Sequence, residues 1–147
     1  MTASASLQAA DLLPQLVQVL HRFFYELDGR RYETAAGLFT DDGRWLRQGR
    51  WLEGRAAILD ALHARPLDSE TRHVMSNAFI AREEGDAAVV EAYMTAYRYP
   101  TAEAGGDLPT IAHPLRFNLV TTVFRRVAQS GWCIAEQRLV PAFGFTA

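Results

Sequence analysis

Two hydrophobic periods divide the chain. From Asp11 to Leu27, the apolar residues Leu13, Leu16, Val17, Leu20, Phe24 and Leu27 recur every three or four positions, which predicts a helix with one buried stripe. Pro14 falls in its first turn, where a missing N–H does no harm, and Gly29 is a natural stop. Tyr32, Ala35, Ala36 and Phe39 predict a short second helix from Arg30 to Phe39, and Thr40–Gly43 has the chemistry of a turn. A short strand at Arg44–Gln48, a turn at Gly49 and a second short stretch at Trp51–Glu53 follow. Gly54 then leads into a third helix, Arg55–Ala64, with Ile58, Leu59 and Leu62 inward and Pro66 closing it.

From Thr71 onward the period is two. His73 opens a strand running to Arg82, with Met75, Asn77 and Phe79 on the same face. Glu83–Asp86 turns it into a return strand, Ala87–Tyr99. Val90, Ala92, Met94 and Ala96 share one face of that strand, and Val89, Glu91, Tyr93, Thr95, Tyr97 and Tyr99 share the other. A loop from Pro100 to Pro114 precedes two more strands, Leu115–Val127 and Trp132–Val140. The tail PAFGFTA is expected to cover a pocket mouth or a neighbouring subunit. Helices in the first half and long strands in the second predict an α+β fold: a curved antiparallel or mixed sheet wrapped around three N-terminal helices and enclosing a conical pocket. No repeat or linker interrupts the pattern, so residues 1–147 are expected to form a single domain, with 1–10 as a frayed start.

Composition narrows the function classes. Apolar residues make up 49% and charged residues 22%, an ordinary globular balance. A net charge of −2 argues against a nucleic-acid binder that works by neutralising phosphates. All 15 basic residues are arginine, which excludes Schiff-base catalysis by a lysine of this chain. The single cysteine, Cys133, rules out an internal disulfide and a thiolate metal cluster, and fits a cytoplasmic setting. The first ten residues lack a basic n-region, and no run of about 18 apolar residues predicts a membrane span. No HxH or HxxxH spacing suggests a metal site, so no cofactor or metal is expected.

The candidate chemistry centres on His73. An imidazole opening a mostly apolar stripe needs a polar partner if it is buried. His21, Tyr25 and Asp28 lie at i, i+4 and i+7 on the shoulder of the first helix, with Asp28 nearest its buried side. A carboxylate at a helix C-terminus faces the negative end of the dipole, so something else must favour it there. Asp28 is therefore expected to pair with His73. It is also placed to cap the second helix, and its two oxygens allow both roles. The clustered Arg44, Arg47, Arg50 and Arg55 read as a solvated face, with an anion clamp as the alternative.

The order of elements and three stretches, YELDGRRYETAAGLFTDDGRW (Tyr25–Trp45), TRHVMSNAFI (Thr71–Ile80) and GWCIAEQRLV (Gly131–Val140), resemble the SnoaL-like branch of the nuclear-transport-factor-two-like superfamily. Dehydratases and dehydrochlorinases similar to scytalone dehydratase use an aspartate ending the first helix and a histidine opening the long strand; the resemblance places these at Asp28 and His73. It also places a substrate-contacting asparagine at Asn118. A second catalytic histidine of scytalone dehydratase has no counterpart near Pro100. The small subunits of aromatic-ring-hydroxylating dioxygenases share the RHxxSN and GW patterns, and SnoaL-like polyketide cyclases are a third relative.

The resemblance thus implies a cofactor-free lyase or isomerase, in which an Asp28–His73 pair acts as general base on a small apolar cyclic substrate. Asn118 and Tyr25 or Tyr97 would orient that substrate, with His21 at the rim. The alternative is a non-catalytic dioxygenase subunit or a ligand-binding module. The resemblance further implies a homo-oligomer, a dimer or trimer, formed through the outer sheet face.

Overall fold

Helix α1 (Ala3–Asp28) is the rod against which the sheet folds. The computed structural model describes residues 3–146, with side chains from Asp11 onward. The start expected to fray is helical from Ala3, while Met1 and Thr2 lie outside the described residues. Pro14 consequently falls inside the helix and not in its first turn. The buried stripe is Leu12, Leu16, Leu20, Phe23, Phe24 and Leu27. Leu13 and Val17 are only half-buried on its flank, and Phe23, which the spacing left out, is fully enclosed.

After α1 come α2 (Tyr32–Ala36), β1 (Phe39–Arg47), β2 (Arg50–Glu53), α3 (Arg55–His63) and then four long strands: β3 (Ser69–Glu84), β4 (Ala87–Pro100), β5 (Arg116–Val127) and β6 (Gly131–Gly144). They form one six-stranded sheet in the order β2-β1-β6-β5-β4-β3. β3 to β6 run as an antiparallel meander, and β1 joins β6 in parallel, so the sheet is mixed. β2 and β3 are free edges: the sheet curves into a cone without closing into a barrel.

The concave face carries Ala88, Val90, Ala92 and Met94 from β4, Val120 and Phe124 from β5, and Ile134 from β6, all packed with the α1 stripe. Each large side chain withdrawn from water contributes about 1.5–3 kcal/mol. Phe23 meets Phe24, Phe39 and Trp45 edge-on at centroid distances of 5.0, 5.3 and 5.3 Å, which fills the narrow end of the cone. The other end stays open.

Three expectations from the sequence need correcting. Thr40–Gly43 is part of β1, because a register shift between Phe39 and Arg44 against β6 absorbs these residues as a bulge. A Cβ at Gly43 would approach the Phe39 ring to 2.9 Å and the Thr40 and Ile134 carbonyls to 3.0 and 3.1 Å, so a side chain there would push the strands apart. In β3, Asn77 adopts a left-handed backbone (φ 57°) at a second bulge, between Ser76 and Phe79. That bulge changes which face is inward: Thr71, His73 and Met75 precede it, Ala78 and Ile80 follow it, and Phe79 is exposed. Finally, the tail is not a separate flap, although its first residue, Pro141, lines the cavity inside the cone. It prolongs β6 along β5, and Phe143 stacks on Phe117 at 4.8 Å.

Among the described residues, no helix is long and apolar enough to cross a membrane.

Candidate active site

Asp28 is the last residue of α1, and β3 passes directly over it. Its carboxylate is almost fully buried, and both oxygens point to β3. Oδ2 accepts the backbone N–H of His73 at 2.9 Å. Oδ1 accepts the Thr71 hydroxyl at 2.8 Å and lies 2.7 Å from His73 Nδ1. Arg65 Nη2 in turn donates to Thr71 Oγ1 at 2.6 Å, so a continuous chain runs from Arg65 through Thr71 and Asp28 to His73. The carboxylate is fully engaged without capping α2, whose N-cap is Arg31 and has no side-chain cap bond.

The His73 ring is 12% exposed and leans on Phe24 at a centroid distance of 5.0 Å. With Nδ1 committed to Asp28, Nε2 has no protein partner among the described residues. The ring borders two hollows. Outside the cone, between α1 and β3, runs an open groove of about 830 Å³ that includes His21, Tyr25 and Arg72. Inside the cone is a smaller cavity of about 70 Å³, walled by Leu27, Met94, Ala96, Leu115 and Leu139, with Asn118 among its polar groups. The groove takes in Asp28 and the core residue Phe24 beside the largely exposed Tyr25, whereas the inner cavity sets buried Leu27, Met94, Ala96 and Asn118 against a rim of arginines.

Of the six expected site residues, Asp28, His73, Tyr25 and His21 all line the outer groove. His73 also borders the inner cavity, which Asn118, 5% exposed, enters from β5 opposite Met94. Tyr25, His21 and Tyr97 do not reach that inner cavity. Tyr25 and His21 project from the exposed side of α1 into the outer groove, because the α1 stripe turns Phe24 and Leu27 inward in their place. Tyr97 pairs with Arg72 on the convex face, since strand alternation gives the concave face to Ala96 and Arg98. Of the remaining histidines, His63 pairs with Glu33 at 3.1 Å on the surface, and His113 donates to the Pro114 carbonyl at 2.8 Å. Among the described residues, no three His, Cys, Asp or Glu side chains are placed to hold a metal ion.

Sequence reasoning missed the polar rim. Thr71 shares His73's face two residues earlier, and Arg98 continues the concave face of β4 two residues past Ala96. Extending each alternation by one step finds both. Arg47, from the cluster read as solvated, lines the cavity. The rest of that cluster is on the surface: Arg55 pairs with Asp41 at 2.8 Å and Arg44 stacks on Trp51 at 3.6 Å. Burial, and then the charges of Arg65 and Arg98, lower the pKa of Arg47 from its ordinary value.

Comparison with known proteins places this geometry. No curated protein matches the chain. Among solved structures, an NTF2-like protein with a cystatin-like fold from Novosphingobium aromaticivorans superposes with a TM-score of 0.76 at 19% identity, over 97% of this chain and 90% of that one. ActVI-ORFA from Streptomyces coelicolor gives 0.74 at 18% identity, over 89% and 97% of the two chains. A protein from Catenulispora acidiphila, solved in complex with S-DNPA, gives 0.71 at 24% identity, over 90% and 94%. At these identities the likeness is one of fold. The SnoaL-like domain model matches residues 9–138, nearly the whole chain, and the protein belongs to the SnoaL-like family.

Proposed function

We propose that the protein is a cofactor-free lyase or isomerase in which His73 is the general base and Asp28 positions it. The observation that carries this reading is the His73 ring: Nδ1 is tied to a buried carboxylate, Nε2 is left without a protein partner among the described residues, and the ring borders both the outer groove and the inner cavity. A neutral imidazole so held carries its proton on Nδ1, and Nε2 is the basic nitrogen. The carboxylate fixes that tautomer and steadies the imidazolium formed when the ring takes up a proton.

The chemistry follows. Nε2 removes a proton from a carbon next to a carbonyl or similar activating group. The C–H electron pair becomes the new double bond, and hydroxide or halide leaves from the neighbouring carbon. In a dehydration the departing hydroxide takes the proton and leaves as water. If the proton is instead returned to another carbon, the result is isomerisation. Asn118 donates a hydrogen bond to the oxygen on which charge develops. The fold supports a small-molecule site, since the similar Catenulispora acidiphila protein was solved with a ligand. The expected homo-oligomer would use the convex face, where Val74, Phe79, Tyr93, Leu119 and Phe143 are exposed.

The test is a screen of wild type and His73→Ala against cyclic β-hydroxy and β-halo ketones, following proton loss by deuterium exchange and product by mass. The expected result is turnover in wild type that falls by about 10²–10⁴-fold in the variant. Equal activity, or equal inertness across the panel, removes the case for a base at His73.

A further inference from the structure

The open end of the cone is ringed by guanidinium groups. Arg47 at the end of β1, Arg65 just past α3 and Arg98 near the end of β4 line both the inner cavity and a second hollow of about 510 Å³ at its mouth. Arg50 joins them in the mouth and Arg116 in the cavity. No carboxylate lines either hollow, and among the described residues none of these five arginines has an acidic partner within 4.0 Å. Elsewhere the protein pairs its arginines freely, as Arg30, Arg31, Arg55, Arg125 and Arg138 show. Asp28 is separated from Arg65 by the Thr71 hydroxyl and is engaged by His73.

Like charges gathered without a counter-ion are unfavourable, and more so where burial strips their water. Arg47 feels both effects, its cationic form opposed by burial and by the charges of Arg65 and Arg98. Arginine is also the side chain whose planar fork of donors best matches an oxyanion. Beyond the arginines, the cavity walls turn apolar at Leu27, Met94, Ala96 and Leu139, and His73 and Asn118 stand where the two surfaces meet.

We propose that Arg47, Arg65 and Arg98 form an anion site, so that the ligand of this protein is a small organic acid whose carboxylate, sulfonate or phosphate sits among them in the hollow at the mouth, with its apolar part turned toward the narrow cavity that His73 borders. Resting on the proton-transfer reading above, this gives the substrate a direction: acid group outward, reacting carbon at His73 Nε2. Thr71 couples the two ends, since it accepts from Arg65 and donates to the carboxylate that holds the base. The apolar substrate expected from the sequence is therefore apolar only at its inner end.

The test uses titration calorimetry on the full chain at low ionic strength with three probes: benzoate, its neutral isostere benzamide, and inorganic phosphate. Benzoate is expected to bind at least tenfold more tightly than benzamide. Arg47→Gln and Arg98→Gln are each expected to weaken benzoate at least fivefold. Arg98, at an exposed position, keeps the test open should Arg47→Gln fail to fold. Phosphate competing with benzoate would mark a site that reads charge and takes phosphate esters as well; phosphate failing to compete would assign it to carboxylates. Benzamide binding as well as benzoate, no binding of benzoate, or wild-type affinity in folded arginine variants would overturn the proposal. His73→Ala separates this from the base reading. Turnover untouched by His73→Ala would sink the base and leave the anion site standing, whereas lost turnover with no benzoate binding in wild type would do the reverse.

Discussion

The interior of the cone holds two polar clusters that solve opposite problems. Around Asp28 both carboxylate oxygens are used: the group accepts from a hydroxyl, a backbone N–H and an imidazole, and the whole arrangement is nearly dry. Around Arg47 the reverse holds, with charges of one sign brought together and no acid to answer them. The two clusters are bridged by the bond from Arg65 to Thr71. A closed network rigidifies and orients; an open one is a place where something else completes the hydrogen bonds. The contrast separates the part of the site that is finished within the chain from the part that a ligand finishes.

Substitutions should break the two clusters in different ways. The largest effect is on turnover: His73→Ala should remove about 10²–10⁴-fold of rate in a proton-exchange assay. Next is stability at the closed cluster. Asp28→Ala leaves the Thr71 hydroxyl and the His73 N–H without their acceptor, and chemical denaturation should show a loss of about 1–3 kcal/mol. The open cluster should respond with the opposite sign. Arg47→Gln removes a charge that burial and two neighbours oppose, so differential scanning should find an unchanged or higher midpoint, by about 2 °C, although ligand binding is weakened.

The smallest effect lies far from both. Asp42 on β1 is held below the ordinary carboxylate pKa, first by its hydrogen bond with Arg125, but it is solvent-exposed. A depressed folded-state pKa contributes stability above the unfolded value, near pH 4, and loses it as pH falls through the lower folded value. Asp42→Asn should therefore lower the midpoint slightly at pH 7, and the difference should shrink as the pH is taken below the unfolded carboxylate value.

What the sequence reveals follows the reach of each interaction. The α1 stripe, α3 and the faces of β4 depend on neighbours three, four or two positions away, and the spacing exposes them. The pairing of Asp28 with His73 was legible because each residue poses a local problem, a carboxylate at the wrong end of a helix and an imidazole on an apolar stripe. β1 was hidden because Thr40–Gly43 has turn chemistry that only the distant β6 overrides. The inward face of β3 beyond Asn77 was misread because nothing in the sequence announces a non-glycine residue at positive φ. Tyr97 was expected in the cavity although the alternation of β4 already set it on the face opposite Ala96. The arginine ring was legible only in part: Arg47 and Arg50 belong to the cluster for which an anion clamp was the alternative, whereas Arg65, Arg98 and Arg116 join them only because the end of α3, β4 and β5 converge in three dimensions.

The tautomer of His73 tests the central claim most directly, because it needs no substrate. Long-range proton–nitrogen correlation spectra of ¹⁵N-labelled protein at pH 8 distinguish a ring nitrogen that carries hydrogen from one that does not. The geometry predicts a protonated Nδ1 facing Asp28 and a bare Nε2, with the preference lost in Asp28→Asn. A proton resident on Nε2 in the wild-type protein, or a ring protonated on both nitrogens, would leave no base facing the cavity and would contradict the account.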